Sequence, residues 1–130
     1  MTYTNTATQV RWQPWTYQDP SWHSADLTGY KVQAVDGEIG KVDKDTFEVD
    51  NSFLVVDTGP WIFGRKVMLP AGVVSGMDHQ NKLVFVSRTK DLIKNSPEFT
   101  DELFEDMKYR ERLGSYYGEE GAGWYNNPVR

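Results

Sequence analysis

The stretch Phe53-Leu54-Val55-Val56-Asp57-Thr58-Gly59-Pro60-Trp61-Ile62-Phe63-Gly64-Arg65-Lys66-Val67-Met68-Leu69-Pro70 decides the fold. It holds two short apolar runs joined by a Gly-Pro turn that carries the aromatics Trp61 and Phe63. Apolar, β-branched runs of this length bounded by Gly and Pro read as strands, and the pair predicts part of a small barrel. The first run, Phe53-Leu54-Val55-Val56, does not alternate with polar residues, and neither does Leu83-Val84-Phe85-Val86. A strand wetted on one side alternates, whereas a strand covered on both sides does not. Both runs are therefore expected to face a barrel lumen on one side. On the other they need cover from the C-terminal helix, the Trp-rich N-terminal segment or another subunit. Burying each such side chain is worth roughly 1.5–3 kcal/mol, which argues against leaving any of these faces bare.

Working outward, Tyr30, Val32 and Ala34 alternate with Lys31, Gln33 and Val35, and Asp36-Gly37 supplies a two-residue hairpin turn. Ile39-Gly40-Lys41-Val42 pairs back, with a bulge or tight bend expected at Gly40. Residues 46–49 continue the sheet, residues 71–77 read as a connector, and residues 82–87 read as the last strand. Thr89 is expected to cap a short helical turn reaching Asn95. Thr100 is expected to cap a second helix to about Leu113, with Asp101 and Glu102 suited to its dipole. Phe99, Leu103, Met107 and Leu113 would form its apolar face. Beyond Gly114, several glycines among Tyr116, Tyr117, Trp124 and Tyr125 read as a flexible aromatic tail. The expected organisation is a Trp-rich, partly disordered extension over residues 1–25, a barrel domain over 26–99, and a helix with a Gly/aromatic tail over 100–130.

At 130 residues the chain suits one hydrophobic core. Lys and Arg number 14 against 19 Asp and Glu, a net charge of −5, which disfavours binding to phosphate backbones. The lack of cysteine excludes disulfides, thiol catalysis and thiolate metal sites. The first ten residues have no cationic start and no apolar run, so no secretory leader is expected. No window approaches the ~20 apolar residues of a membrane helix, and a cytoplasmic location is expected.

Several patterns touch on chemistry. Asp57-Thr58-Gly59 matches the triplet of aspartic proteases, in which two such loops share one proton between paired carboxylates. Pro60-Trp61 follows it, and Ile62-Phe63-Gly64-Arg65 comes at once, so a turn in which Asp57 accepts backbone N–H groups explains the same residues more simply. The Gly59-to-Lys66 spacing resembles a phosphate loop, but Pro60 removes an N–H and Val67 replaces the hydroxyl residue. Asp43, Asp45 and Asp50 miss the Gly and the bidentate Glu of a calcium loop. His23 and His79 have no ligand spacing, and no Gly-x-Ser-x-Gly elbow exists. No catalytic, cofactor-binding or metal residues are therefore assigned. Trp12, Trp15, Trp22, Trp61 and Phe63 form the candidate interaction surface, since aromatics concentrate at interface hot spots. Intramolecular cover of the sheet by the Trp-rich segment is the competing use of the same residues.

Taken together, Leu27-Thr28-Gly29-Tyr30-Lys31-Val32, Asp36-Gly37-Glu38-Ile39-Gly40-Lys41-Val42, Leu54-Val55-Val56-Asp57-Thr58-Gly59, Lys66-Val67-Met68-Leu69-Pro70 and Ser96-Pro97-Glu98-Phe99 resemble a PRC-barrel domain. The whole pattern is similar to stand-alone bacterial, actinobacterial-like versions, which continue into Tyr109-Arg110 and Tyr116-Tyr117-Gly118. The resemblance implies a mainly β fold: a small antiparallel PRC-type β-barrel with one or two C-terminal helices, related to the cytoplasmic domain of the photosynthetic reaction-centre H subunit. It implies protein–protein contact rather than chemistry, often with dimerisation, and it brings no catalytic residue and no cofactor. The expectation is a non-enzymatic interaction or assembly module, a homodimer that also binds an unknown protein partner. The alternatives are a homodimeric aspartic protease built on Asp57 and a ribosome- or RNA-associated adaptor.

Overall fold

The computed structural model describes residues 12–19, 21–22, 26–45, 52–62 and 64–121. The chain is mainly β. Strands β1 (Lys31–Ala34), β2 (Gly37–Asp45), β3 (Phe53–Asp57), β4 (Lys66–Pro70), β5 (Val74–Asp78) and β6 (Leu83–Val86) are followed by two short helices, α1 (Lys90–Lys94) and α2 (Met107–Ser115). The six strands form one sheet in the order β4-β3-β2-β1-β6-β5. Most neighbours are antiparallel, but β1 and β6 run parallel, because the β5–β6 hairpin returns to the sheet beside β1. The expected strand over residues 46–49 lies outside the described residues.

Local chemistry explains most of these elements. Ala34 pairs with Gly37, so the hairpin loop is Val35-Asp36, one residue earlier than the Asp36-Gly37 turn expected. Gly37 takes φ 146°, and the Asp36 carboxylate accepts a 2.8 Å bond from the Lys90 N–H, tying the turn to α1. A bulge forms one residue before the expected Gly40: Val32 faces Gly40 and Gln33 faces Glu38, leaving Ile39 extra. Thr89 caps α1 by accepting from the Leu92 N–H at 3.2 Å.

Residues 71–77 are not a simple connector. Ala71–Val73 form one 3-10 turn, and Val74–Asp78 are a strand. This changes the shape of the sheet. β4 and β5 are its two edges, and a flat six-stranded sheet would hold them about 24 Å apart at ~4.8 Å per strand. The three residues between Pro70 and Val74 span at most ~15 Å. The sheet is therefore strongly curled, although no ladder joins β4 to β5.

The core lies inside this curl and extends beneath the C-terminal elements. All four apolar residues of β3 are buried within a single chain. Phe53 meets Trp15 edge-on at 6.2 Å, Phe104 at 5.3 Å and the Arg110 guanidinium at 4.7 Å. The second covering layer is thus the strap of residues 12–19 together with the segment around α2. The strap is pinned by the backbone: Ser52 N–H donates to the Trp15 carbonyl, Gly72 N–H to the Pro14 carbonyl, and Trp12 Nε1 to the Gly72 carbonyl.

The C-terminal region departs from expectation in two ways. Thr100 makes no capping bond and opens only a 3-10 turn, Asp101–Leu103. The cap of α2 is Asp106, which accepts from the Tyr109 N–H at 3.1 Å, and Met107 is exposed rather than on an apolar face. The segment read as a flexible tail continues as a helical turn through Gly121, with Tyr117 fully buried.

Candidate functional site

The Asp57-Thr58-Gly59 loop uses its own polar groups to hold its shape. An Asp57 carboxylate oxygen accepts from the Gly59 N–H at 2.9 Å. The buried Thr58 hydroxyl lies 2.8 Å from the Ile62 carbonyl and 2.6 Å from that of Arg65, closing the turn between β3 and β4. Gly40 supports the loop from below. A Cβ at Gly40 would collide with the Asp57 carbonyl oxygen, so only glycine lets β2 run this close to the turn.

The expected aromatic surface is divided by the structure. Trp12, Trp15, Trp22 and Trp61 are all half-buried and packed on the core. Trp12 and Trp15 belong to the strap, where they press against Gly118 and Gly114 of the C-terminal region. Trp22 meets Tyr17 edge-on at 6.3 Å. Trp61 sits on the β3–β4 turn, with the Lys90 ammonium 5.2 Å above its ring. It forms one wall of an open groove of about 400 Å³ whose other walls include Glu38, Lys41, Asp57 and Pro60. Phe63 lies outside the described residues. Three of the five aromatics, Trp12, Trp15 and Trp22, therefore serve chiefly as internal cover, and Trp61 borders a groove.

Of the remaining chemical candidates, Asp43 and His79 have structural partners. Asp43 pairs with Lys66 at 3.1 Å, and this carboxylate, as hydrogen-bond acceptor and neighbouring charge, holds the Lys66 pKa above its ordinary value. Asp50 lies outside the described residues. His79 Nδ1 is 2.9 Å from the Tyr30 hydroxyl; His23 is not among the described residues. Among the described residues no group of three His, Cys, Asp or Glu could hold a metal ion, and no helix is long and apolar enough to cross a membrane.

The surface that reasoning from sequence missed is the outer face of β2, β1, β6 and β5. Strand β6 is not covered on both sides as expected: Val84 and Val86 are buried, but Phe85 is 39 % exposed. Val35, in the hairpin turn, is 62 % exposed. Phe85 lies across from Gln33 on β1 and from Gly76 on β5, with its ring at ordinary contact distance, 3.6 Å, from where a Cβ on Gly76 would stand. An open depression of about 470 Å³ between Val35, Phe85 and Ser75 marks the spot.

The same face carries an unusual charge row. Directly opposed residues share a face, and the register sets Lys66, Asp57, Lys41, Lys31, Leu83 and Asp78 side by side across all six strands. Lys31 and Lys41 face each other, an arrangement that is destabilising for like charges. Both are exposed, and neither makes an ion pair among the described residues. Asp78, at the row's end, has its pKa lowered by hydrogen bonds, first from the Asn81 side chain and then from the Asn81 N–H. The alternation of Lys31, Gln33 and Val35 hinted at this face, but the parallel partner β6 carried no local signal.

Compared with known protein families and with curated proteins, the chain matches no family model and no curated sequence.

Proposed function

We propose that the chain is a non-enzymatic protein–protein interaction module of the PRC-barrel type that associates with itself as a homodimer. The observation that carries this reading is the uncovered sheet face. Every residue of β3 is shielded within one chain except the terminal Asp57, yet Phe85 is partly exposed on the face that carries the opposed Lys31 and Lys41, and Val35 is exposed in the hairpin turn at its end. An exposed aromatic on a sheet face with an exposed apolar residue in the adjoining turn suits an interface more than a monomer surface. The curl imposed by the three-residue β4–β5 link supports a barrel rather than an open sheet. The internal hydrogen bonds of Asp57 and Thr58 favour a structural turn over a protease loop. A cytoplasmic, bacterial setting accompanies the reading, resting on the absence of cysteine and on the family resemblance.

Sedimentation velocity over a micromolar concentration series tests it. The protein is expected to sediment as a dimer, and Phe85→Ser combined with Val35→Ser to weaken association at least about tenfold. A chain that stays monomeric throughout the series would overturn the self-association reading.

A further inference from the structure

The uncovered face has a complement elsewhere on the same molecule. The turn leading into α2 presents Asp101, Glu102 and Glu105 at the surface, next to Met107, which is 61 % exposed. Met107, Val35 and Phe85 are the three large apolar side chains most exposed among the described residues. Met107 follows these carboxylates in the chain and has the Arg110 guanidinium 3.8 Å from its sulfur. Phe85 lies on the face bearing the opposed Lys31 and Lys41, whose row also holds Asp57 and Asp78, and Val35 lies in the hairpin turn at the end of that face.

We infer that the Glu102–Met107 turn of a second copy docks on the β2-β1-β6-β5 face. This rests on the self-association reading and names the two surfaces that meet. Met107, unbranched and flexible, enters the depression of about 470 Å³ beside Phe85, a use for which methionine is well suited. Glu102 and Glu105 approach Lys31 and Lys41, relieving a like-charge pair that finds no ion-pair partner within the described residues of one chain. Around a two-fold axis the contact occurs twice, once for each turn and face, which closes a dimer. Opposed charge patches also explain how a chain with a net charge of −5 can associate without repelling itself at the contact.

The test uses two charge-reversed full-length proteins. One carries Lys31→Glu with Lys41→Glu, the other Glu102→Lys with Glu105→Lys; sedimentation velocity is run on each alone and on an equimolar mixture. Each alone is expected to associate at least about tenfold more weakly than wild type, and the mixture to regain association as a heterodimer. Wild-type association is expected to weaken as salt is raised. If wild type dimerises and the reversed proteins dimerise equally well, this docking is overturned while self-association stands. If each is weakened but the mixture does not recover, the pairing of turn with face is overturned. A monomeric wild type removes the self-association reading itself. Thermal melts establish that each variant folds; should Lys31→Glu with Lys41→Glu fail to fold, Lys31→Gln with Lys41→Gln takes its place, with a smaller loss expected and no loss counting against the docking.

Discussion

Gly40 is the residue least able to change. It combines φ 150° with a backbone contact in which a Cβ would meet the Asp57 carbonyl, so Gly40→Ala faces both backbone strain and a clash between two strands. A loss of about 2–5 kcal/mol is expected in urea titration. Gly59 also has a positive φ, 58°, but open space around it, so Gly59→Ala should cost only ~1 kcal/mol. The contrast separates close approach from conformational preference. Tyr109 and Tyr117 give a second test at this scale. Burial raises the pKa of both phenols in the folded chain, whereas unfolded tyrosine ionises near pH ~10. Their contribution to stability is therefore complete below that pH. It is lost as pH rises further, where the unfolded chain releases protons that the folded chain retains. Alkaline unfolding monitored by circular dichroism should show this decline, and Tyr117→Phe should make it shallower.

At the scale of elements, two caps that look alike in sequence behave differently. Asp106→Ala should cost about 1 kcal/mol of stability, while Thr100→Ala should stay within ~0.5 kcal/mol, because only Asp106 accepts a bond from the helix. The helix expected over residues 100–113 is an α-helix only from Met107, and Met107, expected on its apolar face, is exposed. The Phe104 ring packs on Phe53, and the chain turns there before α2 begins, a tertiary contact with no local signature. The β1–β2 hairpin, the β3–β4 pair and α1 were readable because their turn and cap residues act locally. Strand β5 was hidden by Gly76 in its middle, a poor strand former that pairs with Phe85 of the neighbouring strand. The glycines at the end of α2 and just beyond it misled for a different reason. Gly114 and Gly118 leave room for the Trp15 and Trp12 rings of the strap, at 3.2 and 3.3 Å from where a Cβ would stand, so they mark close packing rather than flexibility.

At the scale of the molecule, one principle sorted the sheet: apolar faces must be covered. It led to the double burial of β3, and the strap and the α2 region supply the outer layer without a partner. It failed for β6, whose apolar run hides an alternation in which Phe85 faces outward, and that failure exposes the candidate interface. The aromatic-rich N-terminal segment drew attention as a surface because Trp is common at interfaces; Trp12, Trp15 and Trp22 are half-buried on the core instead. The most direct test follows backbone amide shifts by NMR as protein concentration is raised through the micromolar range. The account predicts progressive changes at Lys31, Gln33, Gly76 and Phe85, together with Glu102, Glu105 and Met107. Shifts that stay constant, or that move only around Trp61 and its groove, would contradict it.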